Sequence, residues 1–162
     1  MNRSYAKHIL WVVLVGFAMT ALAAFVTPTG EQLAAAAADP SANLPALLKD
    51  ASADQVAEVV KGVAEEIVGL NLSPEDQKAR LAELIRVAFG AVPEKDYNLL
   101  AAALGSALSA SPVLLGSPGA MDAIRSGIST AGGGGEVGSG LVASFDQTLE
   151  PGAGAPPLLP HP

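Results

Sequence analysis

The sequence predicts an all-α protein: a small antiparallel helical bundle of three main helices plus a shorter fourth, after an N-terminal signal or hydrophobic helix and before a Gly/Pro-rich flexible tail. Three observations carry this. Apolar residues recur every three or four positions in several stretches, the period of a helix with one buried face. Ser-Pro pairs stand at Ser73-Pro74, Ser111-Pro112 and Ser117-Pro118. In such a pair the hydroxyl can cap the first turn, and proline at the first helical position gives up no needed N–H. Finally, half of the 162 residues are hydrophobic but only 4% are aromatic, so Ala, Val and Leu supply the apolar mass and suit small, closely packed helices.

The stretch Ser73 to Val92 is the centre of this pattern. Ser73 caps it, Glu75 and Asp76 sit at the positive end of its dipole, and Leu81, Leu84, Ile85, Ala88 and Val92 form its stripe, widened by Phe89. Gly90 offers a left-handed exit and Pro93 stops continuation. Before it, Ser52 and Gln55 have capping-box spacing and open a helix over Ala53 to Leu70. Its stripe is Val56, Val59, Val60, Val63, Ile67 and Leu70, and its charges Glu58, Lys61 and Glu65 are spaced for mutual pairing on a solvated face. Leu44 to Asp50, with Pro45 at a helix start, supplies one or two further turns. After the central stretch, Pro93 to Ser109 carries Tyr97, Leu100, Leu104 and Leu108 on one side. The small residues Ala101, Ala102, Ala103 and Gly105 let another backbone approach, either within the molecule or in an oligomer. Two shorter helices follow, Pro112 to Leu115 and Pro118 to Thr130, the second burying Met121, Ile124 and Ile128.

The N-terminus reads as an export signal. Arg3 and Lys7 are followed by an uncharged run from Ile9 to Gly30, strongest over Ile9 to Met19, the charged-then-apolar order of a secretory signal. Two small-x-small cleavage sites follow, Ala21-Leu22-Ala23 and the run Ala34 to Ala38. Pro28 and Gly30 end the apolar stretch and predict an extended approach to the second, so cleavage is placed after Ala38. The alternative is an uncut anchor, since Ile9 to Val26 is about 18 residues, near the lower limit for a membrane span. The domain plan is then 1–38 signal peptide or anchor, 39–43 linker, 44–131 helical bundle, and 132–162 low-complexity tail. Within that tail Leu141 to Phe145 is a short apolar island, free to dock on the helices or to form an isolated strand.

Composition excludes more chemistry than it suggests. The net charge is −7 with no basic stripe, so no nucleic-acid partner is expected. The chain has no cysteine and two histidines, His8 and His161, both outside the predicted body. Thiolate chemistry, imidazole catalysis and Cys- or His-liganded metals are therefore unexpected there. Glu65-Glu66 is the nearest carboxylate pair, but adjacent residues on a helix point in different directions. Gly133, Gly135 and Gly138 match G-x-G-x-x-G by letter without the preceding strand that the dinucleotide fingerprint needs. Pro157-Leu158-Leu159-Pro160 matches P-x-x-P in a tail where such matches come cheaply, and Asn71-Leu72-Ser73 is a glycosylation pattern whose serine is already a helix cap. No catalytic, cofactor-binding or metal residue is expected. The predicted function is an exported non-catalytic helical module that binds an unknown protein partner or itself, touching membrane only through an uncut N-terminal segment. The alternatives are a membrane-anchored accessory subunit and a hydrolase working with carboxylates alone.

Overall fold

The computed structural model describes residues 25–149, and among these every regular element is helical. The elements are α1 (Gly30–Ala38), α2 (Pro40–Leu47), α3 (Ala53–Gly69), α4 (Pro74–Gly90), a 3-10 turn (Glu94–Asp96), α5 (Tyr97–Ser109), α6 (Pro112–Leu115), α7 (Pro118–Ala131) and α8 (Gly135–Leu149). The strong stripes fold as their spacing demands. Ser52 and Gln55 close a reciprocal capping box on α3, and Val56, Val59, Val60, Val63 and Ile67 are buried. Ser73 caps α4 through the Asp76 N–H, and Leu81, Leu84, Ile85, Ala88 and Phe89 line its inner face. Leu100, Leu104 and Leu108 of α5 and Met121, Ile124 and Ile128 of α7 complete the core. Tyr97 meets Phe89 edge-on, with ring centroids 5.0 Å apart.

Several expectations are overturned. Residues 30–38 are helical rather than extended. Thr29 and Gln32 form a capping box at their start, and Ala36 and Ala37 are fully buried. The 39–43 linker is the first turn of α2, with Asp39 as its cap and Pro40 at the first helical position, which leaves Pro45 inside the helix rather than at its start. The chain reverses in left-handed geometry at Asp50 and Asn71, not at Gly90, because α4 ends on a right-handed Ala91. Leu70 leaves the α3 stripe as its C-terminal cap and is 42% exposed. Ser117 makes no side-chain cap, and Pro93 to Asp96 precede α5 rather than belonging to it.

The largest correction concerns the tail. Residues 135–149 are a 15-residue helix, and the Leu141 to Phe145 island is its buried face rather than a strand, with Phe145 fully enclosed. Gly133, Gly134 and Gly135 take positive φ in the turn before it. Instead of three main helices and a fourth, seven helices, five of them long, lie in a closed circuit among the described residues. α1 lies on α3, α3 on α5, α5 on α8, α8 on α7, α7 on α4, α4 on α2, and α2 returns to α1, while α3 and α4 touch across the middle. The small-residue face of α5 is covered by the chain's own α8, the most extensive helix pair among the described residues. A Cβ at Gly105 would fall on the Phe145 carbonyl oxygen and the Thr148 hydroxyl. The Thr148 hydroxyl donates across this seam to the Ala102 carbonyl at 2.8 Å. Gly138 sits equally close to the Ser129 carbonyl of α7, and Arg125 ties α7 to α8 through Asp146 at 2.8 Å.

Candidate functional site

No catalytic, cofactor-binding or metal residue is expected from the sequence, and the chemistry-bearing side chains of Glu65, Ser111 and Lys61 are engaged in structural contacts. Glu65 and Glu66 do not converge: Glu66 is exposed, and Glu65 accepts a 2.6 Å hydrogen bond from the buried Ser111 hydroxyl. That hydroxyl also accepts from the Leu114 N–H as the α6 cap, so the Ser111–Glu65 contact fastens α6 to α3. Lys61 pairs with Glu58 at 2.7 Å as its spacing predicts, but Glu65 stands apart from that pair. Gly133 and Gly135 form the α7–α8 turn and Gly138 is pressed on the Ser129 carbonyl, with a helix rather than a strand in front of them. His8, His161 and the P-x-x-P segment lie outside the described residues. Among the described residues no three His, Cys, Asp or Glu side chains group as a metal site, and every fully buried side-chain nitrogen or oxygen has a hydrogen-bond partner.

Two open concavities of about 490 Å³ flank the circuit. One lies between α2 and α4, bounded by Pro45, Leu48, Lys49, Asp50 and Val87. On its edge Glu83 accepts from Arg86 Nε at 2.8 Å and from the Ser41 hydroxyl at 2.6 Å. The Arg86 guanidinium first, and the Ser41 hydroxyl second, lower the Glu83 carboxyl to about 2. This group is thus held ionised and committed to its neighbours, which suits a clasp between α2 and α4 rather than a proton donor. The other concavity lies between residues 25–29 and the first turns of α3. Phe25, Pro28, Leu33 and Val59 make its apolar floor, and Asp54 and Glu58 stand on its rim.

These placements follow from local sequence. Pro28 and the Thr29 cap turn the chain into α1, which lays Leu33 against Gly62 of α3. Capping of α3 by Ser52 then places Asp54 and Glu58 at the start of a helix whose Val59 faces inward. The signal in sequence was the Thr29–Gln32 spacing, identical to that of Ser52 and Gln55. No protein-family model, no curated protein and no solved structure matches the chain.

Proposed function

We propose that the chain is an exported, non-catalytic helical protein that acts as a binding or structural module through contact with another protein or with itself. The observation that carries this reading is the concavity beside Phe25. An apolar floor open to solvent under an acidic rim fits a partner segment that inserts an apolar side chain and carries a basic residue next to it. The charged-then-apolar N-terminus supports export, and short connections between successive helices support an antiparallel arrangement. A photo-crosslinker at Glu58, used in the native host, tests it. One discrete adduct, to a partner or to a second copy, is expected, and it should vanish with Leu33→Asp while a crosslinker at Lys78, away from the concavity, gives none. Adducts of equal yield at both positions refute a specific surface.

A second reading is a membrane-anchored accessory module. Its support is the short distance between the apolar run and the fold. Phe25 packs on the core and α1 begins at Gly30, so an uncut chain would hold the helices directly against the bilayer. Among the described residues no helix is long and apolar enough to cross a membrane, and the candidate span falls mostly outside them. Retention in the membrane through a carbonate wash distinguishes this reading from the first.

A further inference from the structure

We infer that two copies of this chain pair face to face across a trough of which the Phe25 concavity is one end. This rests on the binding reading above and commits it to self-association. The concavity beside Phe25 does not stand alone. Phe25 also lines a third concavity, of about 260 Å³, together with Val26, Ala46 and Leu47. Lys49 and Asp50 line that third concavity and also the one between α2 and α4. The three therefore run into one another, from the first turns of α3, past residues 25 and 26, to the ends of α2 and α4. Leu33, Phe25, Leu47, Leu48 and Val87 keep the path apolar, and charged groups stand along its edges. An apolar centre inside a polar rim is the layout of a protein–protein interface.

Two features fit this trough to a turned copy of itself. The first is charge. Asp54 stands on one side of residues 25 and 26, and Lys49 on the other. Both are exposed, and neither has an ion-pair partner among the described residues. Glu58 and Arg86 are already engaged, with Lys61 and Glu83. Asp50 shares the Lys49 end, so Lys49 is the one cation of the trough left to meet Asp54. A two-fold axis near residues 25 and 26 carries Lys49 of each copy towards Asp54 of the other, and a single complementary pair becomes two, as an isologous interface requires. The second feature is shape. Val26 is 80% exposed, the most exposed large apolar side chain among the described residues, and it stands next to the hollow that Phe25 floors. An apolar knob beside an apolar hollow lets each copy fill the other. Burial of the knobs and the floor supplies the attraction, and the charge pairs fix the register.

A photo-crosslinker in place of Val26, in the full chain and in the native host, gives the first readout. Near a two-fold axis position 26 meets itself, so an adduct of twice the mass of the chain is expected. Charge reversal gives the second, by analytical ultracentrifugation of the full chain purified from that host. Lys49→Glu and Asp54→Lys should each raise the dimer Kd by at least about tenfold, because each sets like charges against one another at two places. An equimolar mixture of the two variants should restore the parental value, since both contacts are again of opposite sign. Loss of fold restores nothing on mixing, so a structural effect of either substitution is told apart from an interfacial one, and circular dichroism of each variant checks the helices directly. A mixture that associates no better than its components, or a parental chain that stays single, overturns the inference. A discrete adduct at position 26 to a different protein overturns it and leaves the binding reading standing, whereas no adduct at position 26 or at Glu58 overturns both.

Discussion

Replacing Gly105 by alanine tests the seam between α5 and α8 more sharply than any deletion of a large side chain. In an exposed helix interior the change should stabilise by about 0.5–1 kcal/mol, because glycine has more backbone freedom to lose. At Gly105 the added methyl meets the Phe145 carbonyl oxygen and the Thr148 hydroxyl at separations that real Cβ atoms do not show, and the Leu149 amide nitrogen at 3.1 Å. The Phe145 oxygen is backbone and cannot rotate aside, so α8 must move away. Overpacking of this kind costs about 1–3 kcal/mol. The shift also stretches the Thr148 bond to Ala102, worth roughly 0.5–1.5 kcal/mol. Set against the propensity gain, the net loss is about 1–3 kcal/mol. At roughly 4 °C per kcal/mol for a domain of this size, the thermal midpoint should fall by about 4–12 °C. Gly140, on the same α8, has open space around the position of its missing Cβ, so Gly140→Ala should raise the midpoint by about 2–4 °C. Calorimetry of the two variants reads opposite signs from the same substitution. If both rise, α8 does not lie on α5 and the closed circuit is wrong.

Removing residues 132–162 should lower stability by about 3–6 kcal/mol from Leu141 and Phe145 alone, each a fully buried apolar side chain, and should create dye-binding surface; an unchanged denaturation midpoint would return these residues to a flexible tail. Leu84→Ala, at the middle of the buried α4 stripe, should cost about 2–5 kcal/mol in chemical denaturation. Arg80→Ala, off that stripe and by periodicity worth no more than about 0.5 kcal/mol, should instead cost about 1–3 kcal/mol through its bonds to Ala37 and Ala38. The Glu83 carboxyl is lowered in the fold from 4.5 to about 2, so its contribution is complete above pH 4.5 and is lost as pH falls towards 2. Parent and Glu83→Gln should therefore differ at neutral pH, by under about 1 kcal/mol because the cluster is near solvent, and converge at pH 2; a constant gap across that range would show that the carboxylate is not engaged.

The parts of the fold legible in sequence are those in which periodicity and capping agree. α3 and α4 have both, and every residue of their expected stripes is buried apart from Leu70 and Val92, with Ala53, Ala57 and Ala64 joining the buried face of α3. α1 and the start of α2 are equally legible, because Thr29 and Gln32 repeat the Ser52 and Gln55 spacing and Asp39-Pro40 repeats the Ser73-Pro74 start. An alanine run in that place also satisfies a cleavage pattern, and composition says nothing about whether its alanines are enclosed. α8 was hidden by glycine. Gly138, Leu141, Phe145 and Thr148 have helical spacing, yet three glycines in the first six residues lower intrinsic helix preference by about 1 kcal/mol each. What offsets this is backbone contact with Ser129 at Gly138 and with α5 through Phe145 and Thr148, a property of the partner helices that local sequence does not carry. The Ser111–Glu65 and Ser41–Glu83 hydrogen bonds join residues more than forty positions apart, beyond the reach of any local pattern. The apolar concavity was missed for the same reason, since its walls come from two segments whose meeting depends on α1.

The seam at Gly105 also sets the order in which the molecule can be completed. α5 is made well before α8, and until residue 149 has left the ribosome the face around Gly105 has no cover. A nascent or prematurely ended chain can pair α3 with α4 and α4 with α7, but it displays an apolar strip that the finished protein never shows. Exposed apolar surface of this kind makes an incomplete chain aggregation-prone. The cover comes only with α8, which runs from Gly135 to Leu149, so closure of the seam waits on the end of that helix.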